Sequence, residues 1–352
     1  SSNSSTSTAA QKAETPSDVL VAASGAAGDL VPAASKSEDP RSARVESYRE
    51  AQQLTSIAEL KAACALASHD KDFSTGLNQS VFVGAVSRDV ALLQCGSALC
   101  VTNLTLLARE FAYQRLLRLF GGCGRIALRE PLPLEELLSL GILDPSSGFS
   151  AERYPHVDLE GLTSQLQEFL EGKAELLDEY LEMEVRDGFV WSVPNALGLT
   201  SDAGLKFDEL PIFLVRLCAD VNWEEERQCF ESLCRLVADF SVESILPDPE
   251  DVKQVMDSSI ADAAEEAASL NAAVEAGEFE DIVAAAAAAK RKKQRTQGAE
   301  ALQELRFIHE ALRSDSAAAG LQSCRWPAKF RKDGTVIQLV ALEQLYRIFE
   351  RC

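Results

Sequence analysis

"SVFVGAVSRDVALLQCGSALCVTN", residues Ser80–Asn103, contains three short β-rich runs, Ser80–Ser87, Val90–Cys95 and Ala98–Asn103. The breaks between them, Arg88-Asp89 and Gly96-Ser97, are two residues each. Apolar runs of this length joined by such tight breaks predict an antiparallel meander. At Leu104 the period changes. In "LTLLAREFAYQRLLRLF", residues Leu104, Leu107, Phe111, Leu116 and Leu119 return about once per helical turn. "GRIALREP" then reads as one more strand of the same layer, ended by Pro131. Three or four strands with helices beside them, and no βα alternation, make an α+β fold.

Working outward, "LTSIAELKAACALA" from Leu54 predicts a helix with a capping box, Ser56 answered by Glu59 three residues on. Residues 1–53 are expected to be a disordered linker. Through Ser47 they are mostly Ser, Ala, Thr, Pro and Gly with no aromatic residue, too little apolar surface to offset the entropy of ordering. The chain opens on Ser1 rather than methionine, which reads as a piece of something longer.

Beyond the meander the middle reads as helical. "LEELLSLGI" is short, and Val157–Val185 predicts one long amphipathic helix with Leu159, Leu162, Leu166, Phe169 and Leu170 on one face. "LPIFLVRLCADVNWEEERQCFESLCRLVADF" predicts two helices in succession. The second is capped by Asn222 with Glu225 at its third position and buries Trp223, Phe230, Leu233, Val237 and Phe240. Residues 251–299 are expected to be a disordered insertion. Within it, 14 of the 29 residues from Ala261 to Ala289 are alanine and seven are acidic, so no apolar face is wide enough to dock. Lys290, Arg291, Lys292, Lys293 and Arg295 follow, either a nuclear-import signal or a basic cap on an alanine helix. "LQELRFIHEALR", a strand from Thr335 to Val340 and a helix "ALEQLYRIFERC" close the chain.

Composition narrows function by exclusion. With 34 basic against 55 acidic residues the net charge is −21, which repels phosphate backbones and argues against DNA binding by this chain alone. No signal peptide is visible and no apolar run nears the ~20 residues of a membrane span, so no membrane partner is expected. Nine irregularly spaced cysteines then read as reduced thiols in cytosol or nucleus. The three histidines, His69, His156 and His309, stand in no metal or nucleophile motif and read as surface or helix residues. "FGGCGR" (Phe120–Arg125) opens a strand rather than a helix, a turn and not a phosphate cradle. Cys95 with Cys100 and Cys229 with Cys234 share a C-x4-C spacing; a zinc site would have to join the pairs, whereas Phe230 and Leu233 beside the second pair point to buried inert thiols.

Three stretches go further together than alone: "LTSIAEL", "ELPIFLVRLCADVNWEEERQCFESL" (Glu209–Leu233) and the ending "LYRIFERC". They resemble the C-terminal region of the MutL homolog 1 family of eukaryotic mismatch-repair proteins. The resemblance runs from about Leu54 to Cys352 and is interrupted by the alanine-rich insertion. The family's N-terminal ATPase half is not in this chain. The resemblance implies a sheet-containing dimerisation subdomain from residues 54–130 and 300–352, with a mainly helical external subdomain, 131–250, inserted between. It also implies a nuclear protein that heterodimerises with a nuclease-bearing MutL paralogue of the post-meiotic-segregation type and meets other repair factors such as an exonuclease. DNA is met only through the full complex.

Nuclease members of the family carry Asp-Gln-His-Ala-x-x-Glu-x-x-x-x-Glu at the end of the meander. Aligned on Gln94, this chain offers Leu93, Cys95, Gly96, Leu99 and Leu104 at the Asp, His, Ala and two Glu positions, and leucine cannot ligate a hard cation. The family's second half-site, Cys-x-His, has only Cys324 without a nearby histidine. The resemblance therefore implies a non-enzymatic subunit with no cofactor of its own. Its terminal Cys352 would enter the partner's zinc or manganese site, anchored by Tyr346, Ile348 and Phe349 and flanked by Glu350 and Arg351. Val336, Leu339, Leu342 and Leu345 are candidates for the dimer surface. On the residues alone, Leu345, Ile348 and Phe349 merely dock the last helix on its own sheet and leave Cys352 loose. Two other classes remain at this stage, a self-sufficient homodimeric metal nuclease, opposed by the leucines, and a scaffold that has lost repair, opposed by the intact tail.

Overall fold

The computed structural model describes residues 40–68, 70–149, 154, 156–199, 206–246, 306, 309 and 324–341. The meander forms as its breakers dictate. β1 (Val81–Ala85), β2 (Val90–Cys95) and β3 (Ala98–Asn103) pair antiparallel in sequence order. Gly96, at φ +60°, makes the turn that sets Cys95 opposite Ala98. A fourth strand, β7 (Val336–Ala341), arrives from the far end of the chain and pairs antiparallel with β3. The sheet order is β1-β2-β3-β7.

Asn103 ends the meander and caps α4 (Leu104–Arg118), its Oδ1 accepting the Leu106 N–H at 2.9 Å. α4 is enclosed by its neighbours. Twelve of its residues are buried, among them Phe111, Leu104 and Ala108, because α9 (Glu226–Glu243) and α2 (Thr55–Ala67) pack on it and β2 touches it. Such a helix needs no single apolar stripe. Arg109 bridges to Glu243 and, at 3.5 Å, to Asp239, fastening α4 to α9.

Several expectations are corrected here. α2 has no side-chain cap: Ser56 lies inside the helix, and its Oγ donates to Glu226 Oε1 at 2.6 Å, stitching α2 to α9. β4 (Arg125–Pro133) runs past Pro131 and does not join the meander; it pairs with β6 (Phe189–Pro194), which pairs with β5 (Val185–Arg186), in a second sheet of order β4-β6-β5. The register jumps between Ala127 and Leu132, and that irregularity accommodates the proline. The interval from 131 to 250 therefore contains sheet as well as helix. The single long helix of Val157–Val185 is two, α6 (Leu159–Glu171) and α7 (Ala174–Leu181), and Val185 belongs to β5. α8 (Leu210–Ala219) and α9 do follow one another, and Phe230, Leu233, Val237 and Phe240 are buried. α9 itself begins at Glu226, while Asn222 Oδ1 accepts from the backbone of Glu224 and Glu225 just ahead of it.

The linker boundary also moves. Pro40–Gln53 is a helix, α1, and it is docked. Ala51 is buried against Gly121, where an added Cβ would come within 2.8 Å of it, and the Tyr48 ring closes over Gly122. Gln52 Nε2 donates to the Phe120 carbonyl at 2.8 Å. The reason is complementarity of small residues: alanine on the helix meets a glycine pair, which sequence composition alone does not register. Deleting residues 1–53 rather than 1–39 should therefore lower unfolding stability by about 2–3 kcal/mol, the sum of a lost, partly buried hydrogen bond and the uncovered apolar area. Urea melts of the two truncations check it; equal midpoints would return α1 to the linker. The 251–299 insertion lies outside the described residues.

Candidate functional site

One face of the β1-β2-β3-β7 sheet is closed and the other is open. Successive side chains of a strand point to opposite faces. On the closed face Ala91, Leu93, Cys100 and Val336 are buried, and His309 joins them, 3.1 Å from Ser80 Oγ and stacked obliquely near Phe82. His309 is thus a helix residue, as one of its two readings had it, and it is buried in the core.

On the open face two cross-strand rows are defined by register. Leu92 stands opposite Val101, and Val101 opposite Ile337. Val81 stands opposite Gln94, Gln94 opposite Leu99, and Leu99 opposite Val340. Six of these seven side chains are apolar. Val83 and Leu339, at register irregularities of β1 and β7, add to them. Val81, Val83, Ile337 and Leu339 are each 50–55% exposed. An antiparallel sheet with one solvated face normally alternates apolar inward and polar outward. This one is apolar on both, and a contiguous patch of that kind marks an interaction surface.

The chain end of this face is set with care. Trp326, fully buried, donates from Nε1 to Asn78 Oδ1 at 2.6 Å. Arg331 lies over the Phe73 ring and bridges to Asp70 at 2.6 Å. Asp333 Oδ1 accepts from the Thr335 amide and hydroxyl, Gly334 takes φ +84°, and the Thr335 carbonyl accepts the Asn103 N–H at 2.8 Å. These contacts fix the register of β7, and with it which of its residues face out.

The sequence profile of the family described as DNA mismatch repair protein Mlh1 C-terminus matches residues 53–352. The chain belongs to the Mlh1 C-terminal family. A curated relative, the DNA mismatch repair protein Mlh1 of Dictyostelium discoideum, is 27% identical over 311 residues, which cover 85% of this chain and 30% of that protein. The chain therefore spans about a third of the relative's length. The α+β architecture is that of a MutL C-terminal module.

Within this Mlh1 C-terminal fold the residues singled out from sequence separate. Leu339 is on the open face, but Val336 is buried in the chain's own core, 6% exposed, and is no contact for a partner in this arrangement. Residues three apart on a strand face opposite ways, so the pair cannot both serve. Ile337, Val81 and Val83 are exposed in its place, and their one signal in the sequence is strands apolar at both parities. Leu342, Leu345, Tyr346, Ile348, Phe349, Glu350, Arg351 and Cys352 lie outside the described residues, as do Lys290, Arg291, Lys292, Lys293 and Arg295.

The Gln94 alignment falls on the β2–β3 hairpin, one strand before the meander ends at Asn103. Leu93 and Leu104 are fully buried core residues, and Gly96 is the hairpin turn. Moved to the end of the meander, the same spacing falls on Asn103, Thr105, Arg109 and Gln114. Those side chains are committed to the helix cap, to Asp89 Oδ1, to Asp239 and Glu243, and to Glu110 and the Arg325 backbone. Cys324 is buried, and burial pushes its thiol up to about 12 against the opposing pull of Arg118. Cys229 and Cys234 are core thiols on α9, raised by burial. Cys95 and Cys100 are instead neighbours on β2 and β3, where a hydrogen bond from Cys95, aided by Arg331, holds the Cys100 thiol low. Among the described residues no three His, Cys, Asp or Glu side chains come together as metal ligands.

Proposed function

We propose that this chain is the heterodimerisation module of a MutL-type mismatch-repair complex and that the open sheet face is where its paralogue binds. The apolar character of that face is the observation that carries the reading. Obligate interfaces resemble a core cut in half and often exceed ~2,000 Å². The partner is a nuclease-bearing paralogue of the post-meiotic-segregation type, and the complex works in the nucleus with factors such as a repair exonuclease. Neither placement of the nuclease motif puts a carboxylate at its Asp or Glu positions, which supports a subunit that is not itself the nuclease.

Cys352 is this chain's contribution to the partner's zinc or manganese centre. A thiolate is among the few soft ligands available to such a site. Assembly and chemistry should then be separable. Deleting Cys352 should leave heterodimer yield unchanged, because the sheet face holds the subunits together, while metal occupancy and metal-dependent nicking of supercoiled plasmid fall together at least tenfold. Equal nicking by wild-type and truncated heterodimers would leave the thiol without a role.

A further inference from the structure

A second site lies away from the sheet, between α2, the C-terminal half of α4 and the segment before β7. A cavity of about 360 Å³ is lined there by Lys61, Cys64, Gln114, Leu117, Arg118 and Arg325. With Ala62 the lining numbers seven residues, three of them cations, in a chain whose net charge is −21. Nη2 of Arg118 is sealed from solvent and has no hydrogen-bond partner among the described residues. Lys61, whose Nζ donates to Gln52 Oε1 at 2.6 Å, has its pKa lowered by burial and then by the charge of Arg118. The two cations therefore repel each other across the cavity. Arg325 is held at the rim through its backbone, its N–H donating to Gln114 Oε1 at 3.0 Å and its carbonyl accepting from Gln114 Nε2 at 2.8 Å. The neighbouring acid, Glu110, is occupied by Gln114 at 2.7 Å and by Arg235 at 3.9 Å.

We propose that this cavity is a binding site for a phosphate monoester. A doubly charged oxyanion removes the repulsion between Lys61 and Arg118, which a single carboxylate does less well. The volume exceeds what a bare ion fills and falls in the range of small-ligand pockets, and the Leu117 and Cys64 walls suit the carbon portion of an ester.

Calorimetric titration of the whole chain at fixed ionic strength tests the site, with inorganic phosphate, O-phosphoserine and deoxyadenosine monophosphate as probes. One ester or the other should bind more tightly than inorganic phosphate; preference for phosphoserine assigns a modified side chain, and preference for the nucleotide assigns that source. Lys61→Gln and Arg325→Gln should each weaken binding about tenfold, the worth of one charge-assisted hydrogen bond, with unchanged melting in chloride showing that both variants fold. No binding of any probe at millimolar concentration, binding no tighter for the esters than for the bare ion, or affinity untouched by both substitutions would overturn the proposal.

Discussion

Replacing Ile337 and Leu339 together with glutamate abolishes paralogue capture while the chain stays folded. Both side chains are about half exposed, so the free chain loses little: exposed substitutions cost within about 0.5 kcal/mol each, with up to ~1 kcal/mol of strand preference added. In the proposed heterodimer the same two positions lie beneath the partner. An uncompensated charge buried there costs roughly 3–5 kcal/mol, so even one loses over a hundredfold in affinity. Val336→Glu makes the control from the opposite parity. Val336 faces the core, so its substitution should unfold the sheet rather than spare it. Pull-down with the paralogue and thermal melts read the two effects separately.

Gly141→Ala produces the largest loss of stability per atom added. Gly141 sits in α5 (Leu134–Leu143), where helix propensity alone favours alanine over glycine by about 1 kcal/mol. Packing reverses the sign. A Cβ at this position would stand 2.2 Å from the Pro211 carbonyl oxygen and 2.9 Å from Val215 Cγ2, and a backbone oxygen at the start of α8 cannot rotate away. The helices must part, loosening Leu138, Ile142, Leu210 and Leu214, all buried. The net cost should reach about 3 kcal/mol, at the upper end of overpacking, and lower the midpoint by roughly 6–12 °C. Gly84→Ala, with nothing within 4 Å of its Cβ, should move the midpoint by no more than about 2 °C. Calorimetry of both variants decides; equal midpoints would mean that α5 and α8 are not in this contact.

What the sequence made legible was local. The meander could be read because its breakers sit beside the strands they separate, and α4 because its cap, Asn103, adjoins its first turn. What it hid depends on distant partners. β4 finds β6 some 60 residues on, across a register jump that no local pattern announces. The Ser56 hydroxyl looked like a cap but bonds Glu226, 170 residues away. α1 docks through Ala51 on Gly121, a fit between the least distinctive of side chains. The family could be recognised because three specific stretches coincide. The interface could be read only to within a residue, since strand parity decides whether Val336 or Ile337 faces the proposed partner, and parity is fixed by the distant contacts of Trp326 and Arg331.

The most direct measurement places a photo-crosslinking amino acid at position 339 of the chain expressed in its source cell. Irradiation should join it to a MutL paralogue carrying the Asp-Gln-His-Ala motif, and the same probe at position 83 should give the same product. Crosslinks from both positions that contain no MutL paralogue would contradict the assignment of the open sheet face as the heterodimer interface.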